Sequence, residues 1–182
     1  MNERILYITG AGVSAESGIP TFRGSDGLWT VDSQNYTPQK MATRQMYLSH
    51  PDEFLVWYFR RFASYRHIKP NAVHHWLADK QLVTQNIDGL DGKAGNAAYV
   101  PIHGRLDKVT VLLEQGLDVP LIDAPWEDVA AACDDLDNNA RLAPILLDVF
   151  KISKKTLAPE PDVSLKPFVL LFDNTTPIYI TC

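Results

Sequence analysis

The sequence predicts an α/β fold, a parallel sheet with helices on both faces, and three observations carry that expectation. Ile5-Leu6-Tyr7-Ile8-Thr9 is a nearly unbroken apolar run that stops at Gly10, as a strand buried on both faces does. Two more short apolar runs, Gln81–Thr84 and Ala98–Ile102, follow after stretches of helical periodicity. All three end in glycine, small or polar residues: Gly10-Ala11-Gly12, Gln85-Asn86-Ile87-Asp88-Gly89 and His103-Gly104. In open parallel sheets ligands gather at the carboxyl ends of the strands, so these three ends are the first place to look for chemistry.

Composition narrows the class. With 182 residues, 46% hydrophobic, 21% charged and only 2 cysteines, the chain is neither collagenous, disulfide-stapled nor disordered, and its length suits one domain or one plus a small insert. Lys and Arg number 17 against 22 Asp and Glu, a net charge of −5, so no global basic field exists to hold nucleic acid or an anionic membrane. Cys133 and Cys182 fit no metal or redox spacing. The apolar stretch Ile5–Val13 is short, interrupted by Gly10 and Gly12 and preceded by Glu3, so neither an export signal nor a membrane span is read, and the expected location is the cytoplasm.

The remaining elements follow from periodicity and breakers. Residues Ser14 to Asn35, broken by Gly18, Pro20, Gly24 and Gly27, read as loop with a short helical turn. Pro51 to Tyr65 reads as a helix: Pro51 suits the first turn, Asp52 and Glu53 its positive end, and Phe54, Tyr58, Arg61 and Tyr65 recur at helical spacing. A second helix is expected over Ala72 to Lys80. Past Gly104, Lys108 to Leu113 reads as a strand, Pro125 to Phe150 as mostly helical, Lys151 to Val163 as a connector and Pro167 to Phe172 as a further buried strand.

Gly10-Ala11-Gly12-Val13-Ser14-Ala15 follows a strand and matches G-x-G-x-x-G/A, a pattern whose physics is close backbone approach to a pyrophosphate. A glycine-bearing turn used only for packing is the alternative. Dehydrogenases of this type also carry an acid at the end of a second strand, about 20 residues on, to hold a ribose. Asp26 and Asp32 lie near that distance but follow no strand, which disfavours a hydride-transfer domain.

The string continues as Ala15-Glu16-Ser17-Gly18-Ile19-Pro20-Thr21-Phe22-Arg23-Gly24, and here it resembles the sirtuins, the NAD-dependent protein lysine deacylases. Thr84-Gln85-Asn86-Ile87-Asp88-Gly89-Leu90 and His103-Gly104 agree in order and spacing, and Leu165-Lys166-Pro167-Phe168-Val169-Leu170-Leu171-Phe172 is a weaker echo. The likeness covers residues 4 to 104 and, faintly, 165 to 172, and none is seen between. It implies a Rossmann-like sheet with NAD as consumed co-substrate, acylated-lysine proteins as substrates, and nicotinamide and O-acyl-ADP-ribose as products. Under the resemblance Gly10, Ala11 and Gly12 face the pyrophosphate, Ser14 and Ser17 support the loop, and Pro20, Phe22 and Arg23 belong to the cofactor segment. Gln85, Asn86, Ile87 and Asp88 match positions that hold the ribose and nicotinamide amide, Asn86 and Asp88 being counted with the catalytic group. His103 matches the catalytic base, a task that suits imidazole near neutral pH. Tyr58 and Arg61 resemble the Y-x-x-R pair with which one subgroup receives acidic acyl chains such as succinyl; an amphipathic helix with a snorkelling arginine is the alternative. His50, His67, His74 and His75 are read as packing or surface residues.

Two departures from the sirtuin pattern stand out. Residues Arg105 to Val163 carry one cysteine and no histidine where the family has a four-cysteine zinc module, so a metal-free helical insert is expected and no zinc. The acidic cluster Asp134, Asp135 and Asp137 there is read as a solvated face. Residues Asp173 to Cys182 match no part of the pattern and lack its Gly-Thr-Ser turn, so the chain reads as C-terminally truncated or frameshifted. The expected organisation is 1–104 as the NAD-binding and catalytic part, 105–164 as the insert, and 165–182 as the returning strand of the Rossmann-like sheet with a short tail. The implied activity is NAD-dependent deacylation, as deacetylase or desuccinylase. The alternatives are an impaired remnant that binds NAD weakly or serves as an interaction module, and an ADP-ribosyltransferase or NAD hydrolase. Oligomeric state is not legible.

Overall fold

The computed structural model describes residues 5–21, 37–112 and 119–173. Strand β1 (Leu6–Thr9) runs into the short helix α1 (Gly12–Ala15). Helices α2 (Pro38–Met41), α3 (Arg44–Ser49), α4 (Pro51–Tyr65) and α5 (Ala72–Trp76) then lead to β2 (Gln81–Thr84). Helix α6 (Leu90–Lys93) leads to β3 (Val100–Pro101). The three strands form a parallel sheet in the order β1-β2-β3, with Tyr7 beside Leu82 and Val83 beside Val100. The predicted parallel sheet is therefore present, with two of its strands trimmed at their ends.

Past Gly104 a second sheet begins. Strand β4 (Gly104–Val111) is followed by β5 (Ile122–Asp123), helices α7 (Trp126–Ala132) and α8 (Asn139–Val149), and β6 (Leu165–Val169). These strands pair antiparallel in the order β5-β4-β6. This corrects the expectation for 165–172: the stretch does not return to the parallel sheet but lies along β4, Gly104 opposite Val169 and Val111 opposite Leu165. A buried apolar run announces a strand but not which partner it will take; β4 leaves the first sheet with no crossover helix and offers the open edge. Gly104 sits at φ +86°, and a Cβ there would lie 2.1 Å from the Phe168 carbonyl oxygen, so the approach requires glycine.

Helix α4 forms where predicted. Its Phe54, Leu55, Tyr58 and Phe59 are buried against Leu142, Leu146 and Leu147 of α8 and against Trp126 and Phe150, making one core over the antiparallel sheet. The Trp126 indole donates to the Leu106 carbonyl at 2.7 Å and the Tyr47 hydroxyl to the Leu165 carbonyl at 2.7 Å, so both large polar-tipped rings are satisfied. Asn138 caps α8 through the Ala140 N–H, and Thr43 caps α3 through the Met46 N–H. The expected helical insert thus holds α7 and α8 but also two strands of a sheet. The sheets are tied where they meet: the Leu106 N–H donates to the Ile87 carbonyl at 2.9 Å.

Among the described residues no helix is long and apolar enough to cross a membrane, and no group of His, Cys, Asp or Glu is set to hold a metal. Cys133 is buried with its thiol directed at the Asp135 carbonyl, so the residues present do not fit the family's zinc module. Asp134 and Asp137 pair with Arg141 and Arg60 on the surface.

Candidate functional site

The site grows from the ends of β1 and β2. After Thr9 the chain turns at Gly10 and winds through α1, with the Val13 N–H on the Gly10 carbonyl and the Ile19 N–H returning to the Ser14 carbonyl. A Cβ at Gly10 or Gly12 would meet no atom within 4 Å. The chain's own packing does not demand these glycines, and the bare backbone they leave open is what a pyrophosphate would approach.

Beneath the loop lies a fixed polar network. Ser14, almost fully buried, donates from Oγ to Asp88 Oδ2 at 2.7 Å and accepts from Asn86 Nδ2 at 3.1 Å. Asn86 also donates to the Gly10 carbonyl at 3.2 Å, so the first and second strand ends are joined through one amide. Asp88 Oδ1 accepts from the Leu90 N–H at 2.9 Å, which starts α6 after the left-handed Gly89.

An open pocket of about 460 Å³ lies against this network, lined by Ala11, Ser14, Ile19, Pro20, Arg61, Tyr65, Asn86, Ile87, Asp88 and Leu106. Seven of the residues singled out from the sequence, Ala11, Ser14, Pro20, Arg61, Asn86, Ile87 and Asp88, therefore share one cavity wall. Ser17 stands behind the loop, its Oγ buried with no partner among the described residues. Phe22 and Arg23, like Asp26 and Asp32, lie outside the described residues.

His103 is half-buried between the two sheets. Its Nδ1 lies 3.0 Å from the carbonyl of Gln85, which can only accept, so Nδ1 carries the hydrogen and Nε2 is left as an acceptor. Gln85 is exposed and contributes this carbonyl; its own N–H continues the parallel ladder to the Thr9 carbonyl.

Tyr58 and Arg61 lie within each other's electrostatic reach, but only Arg61 lines the pocket. Arg61 lines it, its guanidinium 3.8 Å over the Trp57 ring, while Tyr58 is 3% exposed, packed 4.6 Å from Phe54, and its hydroxyl pKa is pushed up by burial. The reason is helical phase: on α4 the core takes positions 54, 55, 58 and 59, and the residue that joins Arg61 on the pocket side is Tyr65, four places on. Burial also draws the Arg61 pKa down, with the two tyrosines opposing that shift.

Sequence reasoning did not single out Ile19, Tyr65, Leu106 or His74. Tyr65 was legible as the i+4 partner of Arg61. His74 was legible as the residue three after the helix-capping Asn71. It is fully buried, its pKa lowered by burial and by His75 against an opposing pull from Asp88. On the other side of the network Asp91 is buried with one carboxylate oxygen unpartnered among the described residues; burial, and then the Asp88 charge, raise its pKa to about 6.

A glycine loop at the end of a first parallel strand, with a pocket at the shared strand ends, is the layout of dinucleotide-binding α/β folds. The chain belongs to the Sir2 family, whose model matches residues 10–177. That match runs through 105–164, where the sequence by itself showed no likeness, and into the tail. Similar curated proteins include the NAD-dependent protein deacylase of Thermus thermophilus, 39% identical over 115 residues, and NAD-dependent protein deacylase 1 of Archaeoglobus fulgidus, 40% identical over 109. These alignments take in 57% and 56% of this chain and 44% and 43% of the relatives, so the matched part spans less than half of their length. Among solved structures, a mutant Sir2 homologue in complex with ADP-ribose superposes at TM-score 0.63 with 29% identity, covering 94% of this chain and 60% of that one. A Sir2 homolog–NAD complex gives 0.60 at 29% identity, covering 92% and 57%.

Proposed function

We propose that this chain carries the nicotinamide side of an NAD-dependent protein lysine deacylase. The observation that carries the reading is the Ser14–Asn86–Asp88 network at the joined ends of β1 and β2, with His103 held close by in the tautomer that leaves Nε2 free. The names of the curated relatives and the NAD and ADP-ribose bound by similar structures support it.

NAD, when bound, supplies a ribose carbon activated by loss of nicotinamide. Gly10, Ala11 and Gly12 would offer backbone to its pyrophosphate, with Ser17, Pro20, Phe22 and Arg23 completing the cofactor segment. Asn86 and Asp88, pinned by Ser14, would hold the ribose and carboxamide, with Gln85 and Ile87 beside them. His103 would accept a hydroxyl proton at Nε2, the Gln85 carbonyl stabilising the charge from Nδ1. Arg61, joined by Tyr65 rather than Tyr58, would receive an acidic acyl chain as a planar donor fork. Acylated-lysine proteins are the substrates on this reading, the cytoplasm is the location, and residues 105–164 fold as an insert without zinc.

Nicotinamide release from NAD tests it, measured with acetyl-lysine peptide, with succinyl-lysine peptide and without peptide. Release that needs peptide and disappears in His103→Ala is expected. Peptide-independent release would make the chain an ADP-ribosyltransferase or NAD hydrolase instead. Folded protein that binds NAD without releasing nicotinamide would instead make the chain an NAD-binding module without turnover.

A further inference from the structure

One buried histidine lies outside the proposed chemistry yet touches its supports. His74, on α5, has no solvent exposure, and both ring nitrogens are engaged. Nδ1 accepts from the Asn71 N–H at 3.2 Å, completing a capping box in which the Asn71 side chain accepts from the Val73 and His74 N–H groups. With Nδ1 an acceptor, Nε2 carries the hydrogen, and it lies 3.4 Å from Ser14 Oγ. A serine hydroxyl has one hydrogen and two lone pairs. Here the lone pairs are filled by Asn86 Nδ2 and His74 Nε2, leaving the hydrogen one destination, Asp88 Oδ2. Asn71 ties the same helix end to the glycine loop, its Nδ2 donating to the Val13 carbonyl at 2.7 Å.

We propose that His74 is a positioning residue of the pocket, acting through the Ser14 hydroxyl to fix the direction in which Asp88 presents its carboxylate. Its consequence for turnover rests on the function proposed above. Protonation of His74 would put a hydrogen on Nδ1 facing the Asn71 N–H, two donors head to head, and so undo the helix cap and the tie to the loop together. Asp88, from the loop after β2, favours that proton; burial and the neighbouring His75 oppose it. The neutral ring is thus kept until the pH falls below the ordinary imidazole range.

Two near-isosteres separate positioning from capping. Asn at 74 can offer an oxygen where Nδ1 was but no donor to Ser14; Gln can reach Ser14 with its amide N–H₂ but leaves the Asn71 N–H uncapped. In the full 182-residue chain, the Asp88 side-chain carboxylate carbon resonance should move in His74→Asn and stay in place in His74→Gln. NAD affinity by calorimetry should fall about tenfold in His74→Asn, as loss of one hydrogen bond to a charged network implies, and fall less in His74→Gln. The acid limb of NAD binding in the unaltered protein should flatten in His74→Gln. An unmoved Asp88 resonance in His74→Asn, or a ring found with its hydrogen on Nδ1, overturns the proposal. If the unaltered chain binds no NAD but the Asp88 resonance responds as described, the functional reading falls and the positioning role stands.

Discussion

The two sheets divide the molecule's work unequally. The parallel sheet holds the glycine loop, Asn86, Asp88 and the polar network, yet Leu6 and Ile8 of its β1 are 55% and 69% exposed. The antiparallel sheet carries only Gly104 and the weaker echo from Leu165, yet against it pack Trp126, Phe150 and the buried face of α4. Stability resides mainly in the second region and the proposed recognition in the first, because polar, glycine-rich strand ends cannot also supply a dense apolar core.

That contrast can be broken or sharpened by mutation. The largest effect is expected at Gly104: Gly104→Ala forces a Cβ into the Phe168 backbone and an L-residue into φ +86°, and should cost about 4 kcal/mol or prevent folding, read by urea denaturation. Trp126→Ala removes a fully buried ring and the bond to Leu106, and should cost about 3 kcal/mol. An equally severe loss from Ile8→Thr would erase the contrast.

A smaller effect, of opposite sign, belongs to Asp91. Its folded pKa of about 6 lies above the unfolded value of 3.8, so the folded state holds the extra proton and stability falls as pH rises from the lower value through the higher. Asp91→Asn should remove that slope and stabilise the protein by about 1 kcal/mol at pH 8, with little change at pH 4, measured as thermal midpoints across pH. The smallest effect is expected in the parallel sheet: Ile8→Thr should change stability by less than about 0.5 kcal/mol. On the same ground, a chelator should leave the melting temperature unchanged if 105–164 folds without metal; a large drop would assign the insert a structural ion.

Much of the parallel sheet was legible because its signals are local. Leu6–Thr9 and Gln81–Thr84 end in residues that cannot continue a strand comfortably, and Pro51 with Asp52 and Glu53 marks the start of α4. The antiparallel sheet was not legible as such. Leu165–Val169 reads as a buried strand in either sheet, and only the close approach at Gly104, set by residues 65 positions away, assigns its partner. At the pocket, several motif residues converged as their order suggested, whereas the core placement of Tyr58 and the full burial of His74 were not legible for one reason: each depends on which face its helix turns inward. A three-residue spacing leaves that phase open; the core of α4 and the cap of α5 decide it.

His103 has a last consequence. Its main-chain carbonyl is held by the Leu170 N–H at 2.9 Å, beyond the end of β6, while its ring is held by the Gln85 carbonyl beyond the end of β2. The residue is moored to both sheets at once, main chain to one and ring to the other. It therefore acts as a mechanical gauge: any sliding of one sheet past the other greater than the slack of a hydrogen bond must snap one mooring, and the ring loses its aim before either sheet loses its strands.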